Sequence, residues 1–325
     1  MNRRSVLRML ALSLAAVASR TQAQTSTRVP VVGLLITHPP VTDKVVQAVR
    51  DGLQQYGYED GRNVRLEVRT ALGRLERVPE LARELVRLPA DVIVLVNEPA
   101  LRAVRKETTS IPIVMVGFTD DPLSLGWIES YRRPGGNVTG IFNVNSVLTG
   151  KRLEMLKETL PGASRVTVFW DPAFGKNSID KLKYAAGLLK VQLRPVEVLN
   201  PDDIAPAFRI ARKTRADAVM LVWSPLFYLY RARIAALAID YSLPTFSAMN
   251  ETTEAGCLLS YGSDGYFPFE RVAYFVDRLL KGTEAADLPV EQISRLKLVV
   301  NIKTAKALGI TMPQSILLRA DEVIR

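Results

Sequence analysis

The chain has 325 residues, of which 48% are hydrophobic and 23% are charged. That length suits about two domains with buried cores, and the composition excludes disordered and low-complexity protein classes. The formal net charge of +10 falls to +6 without the four arginines of residues 1–23, and the remaining basic residues are dispersed, which argues against a nucleic-acid-binding protein.

The first 23 residues have the pattern of an export signal. Three arginines within residues 3–8 precede an uncharged apolar run over residues 9–18, which is too short to cross a bilayer. We predict a signal peptide cleaved near Ala23 and a mature protein free in the periplasm. Residues 3–8 are also similar to a twin-arginine signal, so the general secretory and twin-arginine routes both stay open.

The first half of the mature chain alternates apolar strands with segments of helical periodicity. Strands are expected at residues 29–36, 64–70, 91–96 and 111–118, and helices at residues 41–56, 75–88 and 99–108. In the first helix, Val45, Val49 and Leu53 share one face. Near-continuous Val, Ile and Leu strands that alternate with helices indicate a parallel sheet covered on both faces.

The same pattern starts again in the second half. Strands are expected at residues 165–170, 194–199, 216–223 and 243–248, and helices at residues 178–190, 204–213 and 226–241. Residues 90–101 (ADVIVLVNEPAL) are also similar to residues 216–227 (ADAVMLVWSPLF), and position 90 corresponds to position 216. The two segments occupy the same place in the strand and helix order of each half. We therefore predict two similar Rossmann-like α/β lobes with parallel sheets.

Three segments are candidates for crossings between the lobes: residues 138–142, 256–261 and 296–301. Three crossings would form a short hinge about which two rigid lobes close on a ligand. The expected domains follow from these crossings. They are a signal peptide at 1–23, a first lobe at 24–142 plus about 257–289, and a second lobe at 143–256 plus about 290–325.

The inventory of reactive residues disfavours an enzyme. His38 is the single histidine and Cys257 the single cysteine, so a two-histidine metal site, a histidine relay beyond His38 and an internal disulfide are excluded. The chain contains none of the G-x-G-x-x-G, Walker A, G-x-S-x-G or C-x-x-C motifs. We expect no catalysis, no metal and no cofactor, and we expect Cys257 to be a buried apolar residue.

Polar side chains follow the apolar strands at the places where a ligand would sit. In parallel α/β sheets, ligands bind beyond the carboxyl ends of the strands. The candidate ligand-binding residues in the first lobe are Thr37, His38, Asn97, Glu98, Thr119 and Asp120. The candidates in the second lobe are Trp170, Asn177, Ser178, Trp223, Ser224, Ser247 and Asn250.

Several of these residues have two interpretations. Trp170 and Trp223 suit stacking on a flat ligand or packing between lobes. Asn177 and Ser178 stand at the start of an expected helix, where they would receive a carboxylate or cap the helix. Glu98 and Asp120 suit a ligand ammonium or a turn, and His38 suits a ligand contact or a loop position.

Six short segments together resemble one known family. They are residues 52–63 (GLQQYGYEDGRN), 133–140 (RPGGNVTG), 259–262 (LSYG), 280–282 (LKG), 300–309 (VNIKTAKALG) and 318–323 (LRADEV). The chain resembles, from about Val29 to its end, the ABC-transporter substrate-binding proteins that include tryptophan- and tyrosine-uptake binding proteins.

The resemblance implies a type I periplasmic-binding-protein fold with three crossings, and separate permease and ATPase subunits as partners. It also implies that Asn177 and Ser178 match positions that hold the backbone groups of an amino acid. This chain departs from the family at Asn97-Glu98-Pro99, where many relatives have a Gly-Thr-Pro-like turn, and by one extra acid at Asp120-Asp121.

These observations predict a monomeric solute-binding protein of an ABC uptake transporter. Its expected ligand is an aromatic amino acid or an aromatic carboxylate held between the lobes. A periplasmic ligand sensor that presents to a membrane receptor is the alternative, and a periplasmic enzyme is a further one. A transcription regulator is disfavoured because the signal peptide stands where a DNA-binding head would be.

Overall fold

The computed structural model describes residues 28–37, 42–118, 120–143, 146–263, 269–293 and 295–325. The expected signal peptide, His38 and Thr119 lie outside these residues. No helix in the described part of the chain is both long enough and apolar enough to cross a bilayer.

The described residues form strands and helices that alternate along most of the chain. In chain order the strands are β1 (Val31–Ile36), β2 (Arg65–Thr70), β3 (Val92–Val96), β4 (Ile113–Phe118), β5 (Val138–Phe142), β6 (Arg165–Trp170), β7 (Gln192–Glu197), β8 (Ala218–Leu221), β9 (Thr245–Ser247), β10 (Leu259–Ser263), β11 (Glu291–Gln292), β12 (Leu296–Asn301) and β13 (Glu322–Ile324). The helices are α1 (Thr42–Gln55), α2 (Val78–Arg87), α3 (Glu98–Glu107), α4 (Thr149–Thr159), α5 (Lys176–Leu189), α6 (Ile204–Lys213), α7 (Pro225–Leu229), α8 (Arg231–Asp240), α9 (Asn250–Glu254), α10 (Phe269–Leu280), α11 (Ile302–Ala307) and α12 (Gln314–Arg319).

The strands form two separate sheets, one in each lobe. The first has six strands in the order β11-β5-β4-β3-β1-β2, and the second has seven in the order β13-β12-β10-β9-β8-β6-β7. Neighbouring strands are parallel in both sheets except for the antiparallel pair of β10 and β12. The prediction of two α/β lobes with parallel sheets is confirmed.

Each sheet is buried on both faces, which explains its continuous apolar strands. On one face of the first sheet, α1 packs beside α10, and Val45, Val49 and Leu53 of α1 are at most 1% exposed. The predicted apolar face of this helix is therefore confirmed. Helices α2 and α3 cover the opposite face, and the second sheet lies between α4 and α5 on one side and α6 and α8 on the other.

The chain passes between the two sheets three times, as counted from the described strands. It leaves the first sheet after β5, leaves the second after β10, and returns from β11 to β12. The expected crossing segments are therefore corrected, because β5, β10 and β12 are each paired within one sheet and the passages lie next to them.

The domain boundaries expected near residues 257 and 289 shift accordingly. Strand β10 is bonded to β9 in the second sheet, although residues 257–263 were expected in the first lobe. Strand β11 pairs with β5 in the first sheet, although it was expected in the second lobe. Apolar strands look alike whichever sheet they join, so the sequence pattern did not distinguish these positions.

A buried arginine joins two of the passages. Arg152 in α4 is 1% exposed, and its Nε donates to the carbonyl oxygen of Tyr261 in β10 at 2.6 Å. Burial lowers the pKa of Arg152 to about 9, an effect that the neighbouring Tyr261 opposes. The guanidinium therefore ties the helix after the first passage to the strand before the second.

Two expected helices differ in detail from the observed ones. The helix expected over residues 226–241 is broken at Tyr230 (φ −99°, ψ 20°) into α7 and α8. The helix expected over residues 75–88 begins with a 3₁₀ turn, Leu75–Arg77, before α2. Cys257 is fully buried, as expected, and burial raises the pKa of its thiol to about 11.

Candidate ligand-binding cleft

The two sheets share one strand order around their first strands. Read from one edge, the first sheet begins β2-β1-β3-β4-β5 and the second begins β7-β6-β8-β9-β10. In such a sheet the direction of the crossover connections reverses between two adjacent strands, the first and the third in chain order. A crevice opens between the carboxyl ends of these two strands. The switch points are therefore the ends of β1 and β3 in the first lobe and of β6 and β8 in the second.

The first switch point is occupied by Thr37 and Asn97. Both are buried, and the Asn97 Nδ2 donates to the Thr37 Oγ1 at 2.6 Å. The backbone N–H of Asn97 also donates to the carbonyl oxygen of Val116 in β4 at 3.0 Å. These bonds hold the end of β3 to both of its neighbouring strands.

Two acids lie beside this pair. Glu98 begins α3 and is 4% exposed, and Asp120 follows β4 and is 8% exposed. The backbone N–H of Asp120 donates to Glu98 Oε1 at 3.3 Å. The first lobe therefore presents two carboxylates and an amide at one edge of its sheet.

The second switch point is occupied by Asp171 and Ser224. The Ser224 hydroxyl donates to Asp171 Oδ2 at 3.0 Å, and the Ala173 N–H donates to Asp171 Oδ1 at 2.9 Å. Burial raises the pKa of Asp171, and these two hydrogen bonds oppose the rise. Ser224 also caps α7, because its Oγ accepts from the Leu226 N–H at 3.1 Å.

Both tryptophans support the loop between Asp171 and Gly175. The Trp223 ring meets Phe174 edge-on, with 5.9 Å between ring centroids. A Cβ added at Gly175 would lie 3.5 Å from the Trp170 ring. Trp170 and Trp223 are both partly exposed. Trp170 packs against the core on one face of the second sheet, and Trp223 packs against the core on the other face. Their packing is thus within one lobe, and a partly exposed surface remains on each.

The loop leads directly into α5, whose first turn contains Asn177 and Ser178. The helix begins at Lys176 and its N-cap is Gly175, with no side-chain capping bond. The interpretation of Asn177 and Ser178 as capping residues ahead of the helix is therefore wrong. Both residues lie inside the first turn, where backbone N–H groups and the helix dipole favour an anion.

One hydrogen bond connects the two lobes at this place. The Nδ2 of Asn177 donates to the Oδ2 of Asp120 at 2.8 Å. Asp120 belongs to the first lobe and Asn177 to the second, so the carboxyl ends of both sheets face each other across one cleft.

Ser247 and Asn250 have partners within the second lobe. The Ser247 Oγ accepts from the Met249 N–H at 3.1 Å, and the Asn250 Oδ1 accepts from the Ser260 hydroxyl at 3.2 Å. Both side chains are buried. They hold the end of β9 and the start of α9 in place, beside the switch point.

Two residues at the carboxyl ends were missed as candidates. Asp171 follows β6, and Asn143 follows β5 with its N–H donating to the Phe118 carbonyl at 2.8 Å. Both are buried. The strand-end rule that selected the other residues points to both of them as well.

Comparison with known proteins gives consistent matches over nearly the whole chain. Residues 29–324 match the family model described as ABC transporter substrate binding protein. A tyrosine-binding protein of Clostridioides difficile (strain R20291) is 24% identical over 280 residues, which cover 84% of this chain and 79% of that protein.

Two solved structures have the same fold. A conserved domain protein of Vibrio cholerae (O1 biovar El Tor, strain N16961) has a TM-score of 0.81 and 27% identity, covering 91% of this chain and 100% of that one. An ABC domain of Streptococcus pneumoniae in complex with L-Trp has a TM-score of 0.79 and 24% identity, with coverage of 91% and 100%.

Proposed function

The chain belongs to the family of ABC transporter substrate binding proteins, and from this membership we propose that it captures a small amino acid or related solute between its lobes for uptake. The observation that carries the proposal is the hydrogen bond from Asn177 to Asp120, which joins the first lobe to the second across the cleft. No reaction on the ligand is proposed, because the task of such a protein is to bind and release it.

The charges of the two lobes suit a zwitterionic ligand. Glu98 and Asp120 supply carboxylates in the first lobe, where an ammonium group would be attracted. The first turn of α5 supplies backbone N–H groups and the Asn177 and Ser178 side chains in the second lobe, where a carboxylate would be attracted. Such a ligand would bridge the lobes and stabilise the closed form.

An aromatic side chain on the ligand would be accommodated by the second lobe. Trp170 and Trp223 flank the loop before α5 and are partly exposed, and aromatic rings stack favourably on a flat ligand. The tyrosine-binding relative and the L-Trp complex support aromatic amino acids as the first compounds to test. Aromatic carboxylates that lack an amino group are the second class.

The partners proposed for this protein are the permease and ATPase subunits of an ABC transporter. A permease that binds the closed form in preference to the open form would respond more strongly to the ligand-loaded protein than to the ligand-free protein. Export to the periplasm is part of the same proposal.

A melting-temperature screen tests this function. A ligand at 100 times its Kd stabilises the folded state by about 2.7 kcal/mol, so L-Trp, L-Tyr or a related compound should raise the Tm of the purified mature protein by several degrees. Titration calorimetry of the best compound should show weaker binding by Asn177→Ala, by roughly tenfold or more, without loss of folded structure.

Lys183→Ala is the matched control, because Lys183 is exposed on the same helix and pairs only with Asp180 among the described residues. It should bind like the wild type. A panel of amino acids, carboxylates and purines that produced no shift, together with turnover of any one compound, would overturn the proposal.

A further inference from the structure

Asn97 has a backbone conformation that is unusual for a residue with a side chain. Its φ is 73° and its ψ is 171°, which lies in a region that is essentially restricted to glycine. The other described non-glycine residues with positive φ have φ values of 51° to 53°. Asn97 therefore carries backbone strain that glycine at this position would not have.

The surrounding structure holds Asn97 in this conformation from three sides. Its N–H donates to the Val116 carbonyl at 3.0 Å, its carbonyl oxygen accepts from the Leu101 N–H at 3.5 Å, and its amide bonds Thr37 at 2.6 Å. These bonds tie it to β4, to α3 and to the end of β1. Strain of this kind persists only where neighbouring elements enforce it, and it is concentrated at ligand sites and switches.

The side chain of Asn97 has one polar atom left over. The residue is 3% exposed, and its Oδ1 has no hydrogen-bond partner in the described part of the chain. A buried polar atom without a partner is costly, so its presence requires a compensating role.

The chemistry around this atom indicates what would pair with it. Asn97 lies at the first switch point, and Glu98 and Asp120 lie beside it with carboxylates. As placed, Oδ1 adds a third acceptor to this edge of the sheet. A ligand group with N–H or O–H donors would satisfy Oδ1 and would be attracted by the two neighbouring carboxylates, whereas a second carboxylate or a bare hydrocarbon would do neither.

We infer that Asn97 determines the specificity of the cleft for ligands that carry a donor group at their first-lobe end, and that its strained backbone is retained for this contact. The inference rests on the proposed function and narrows it. Among the two ligand classes above, it selects amino acids over aromatic carboxylates that lack an amino group.

Two variants separate the amide from the backbone strain. Asn97→Gly removes the amide and relieves the strain, and Asn97→Ala removes the amide and keeps the strain. The Tm of Asn97→Ala should be lower than that of Asn97→Gly by roughly 2–6 °C. The Kd for L-Trp or L-Tyr, whichever shifts the wild-type Tm more, should rise about tenfold in both variants and agree within about twofold.

A structural role alone would produce a different result, because affinity would then follow stability and Asn97→Ala would bind more weakly than Asn97→Gly. The matched control is Asn137, which lies at the opposite end of the same sheet and donates to the Ile111 carbonyl at 2.9 Å. Asn137→Gly and Asn137→Ala should both keep the wild-type Kd.

A second experiment compares the binding of each amino acid with that of an analogue that lacks the amino group. L-Trp is compared with indole-3-propionate, and L-Tyr with 3-(4-hydroxyphenyl)propionate. Wild-type protein should prefer each amino acid by at least about tenfold, and both Asn97 variants should reduce that preference. If both Asn97 variants keep the wild-type Kd and the wild-type preference for the amino acid, this inference is overturned and the proposed function stays intact. A wild-type protein that binds neither amino acid overturns this inference, and one that binds no solute at all overturns the proposed function too.

Discussion

At the residue scale, three aspartates have the same role, which is to bind a backbone N–H of the neighbouring strand. Asp91, Asp217 and Asp321 each follow an alanine and precede a strand. Each carboxylate accepts from a backbone N–H at or near the start of the neighbouring strand, respectively that of Val31 at 2.7 Å, Arg165 at 2.8 Å and Leu298 at 2.8 Å. The Ala-Asp pair that marks the internal repeat is thus a device that aligns adjacent parallel strands.

Asp217 allows a test of this role. Burial raises the pKa of its carboxyl, but hydrogen bonds from the Ser164 and Arg165 N–H groups and the Arg165 guanidinium outweigh that effect and lower the pKa overall. Asp217→Asn should lower the free energy of unfolding by about 1 kcal/mol at neutral pH, since the carboxylate is partly exposed and its ion pair is screened.

The pH dependence of this difference follows from the direction of the pKa shift. A depressed pKa stabilises the folded state above the ordinary aspartate pKa of about 3.9, and the contribution is lost as pH falls through the folded value. Urea unfolding should therefore show wild type and Asp217→Asn converging below about pH 4. The exposed Asp240, changed to Asn, should have no effect at either pH, and a constant difference for Asp217→Asn would contradict the assignment.

At the element scale, the close pairing of β4 and β5 depends on one glycine. Gly140 in β5 has a φ of 122°, and a Cβ placed on it would lie 2.6 Å from the Met115 backbone nitrogen and even closer to the Met115 carbonyl oxygen. Met115 and Gly140 are partners in the register of the two strands. The contact is with backbone atoms, so no side-chain rotation relieves it.

Gly140→Ala should therefore destabilise the protein by about 3 kcal/mol or more, measured by urea unfolding of the mature protein. Gly136→Ala is the matched control, because a Cβ at Gly136 meets nothing within 4 Å and Gly136 lies four positions earlier in the same segment. If the two variants had equal free energies of unfolding, β4 and β5 would be able to move apart at Gly140 without loss of stability.

At the scale of the whole molecule, the contact between lobes matters for closure. Asn177 and Asp120 form a hydrogen bond that joins the lobes without any ligand atom in between. A hydrogen bond to a charged group contributes roughly 1.5–3 kcal/mol when it is shielded from water, and less where it is partly exposed. This bond therefore biases the two-lobe equilibrium toward the closed form.

Loss of the bond should shift the ligand-free protein toward the open form. Asn177→Ala is expected to increase the radius of gyration in small-angle X-ray scattering without ligand, while the exposed Lys183→Ala leaves it unchanged. A shift of about 1.4 kcal/mol changes the ratio of closed to open molecules tenfold. Identical scattering from Asn177→Ala and wild type would show that the bond does not govern closure.

Much of the fold was readable from local patterns. Strands buried on both faces must be apolar throughout, so a strand at 165–170 was predicted at its observed bounds. Helix α6 was likewise predicted from its periodicity. The apolar period of α1 is as clear, and the strand-end rule selected most of the polar residues that surround the cleft.

Other features depended on contacts between distant residues. Nothing local distinguishes β10 from a strand of the first lobe, because pairing with β9 and β12 is what places it. A single helix is expected over residues 226–241, whereas the chain turns at Tyr230.

Two parallel α/β lobes, and the strand ends at which polar residues gather, follow from local sequence patterns, because burial on both faces of a sheet constrains composition directly. The bond between Asn177 and Asp120, and the glycine-like conformation of Asn97 beside Thr37, depend on the assembled sheets. These contacts join residues about 60 positions apart in the chain, as between Thr37 and Asn97, and no local periodicity encodes which strand ends meet once the sheets are assembled.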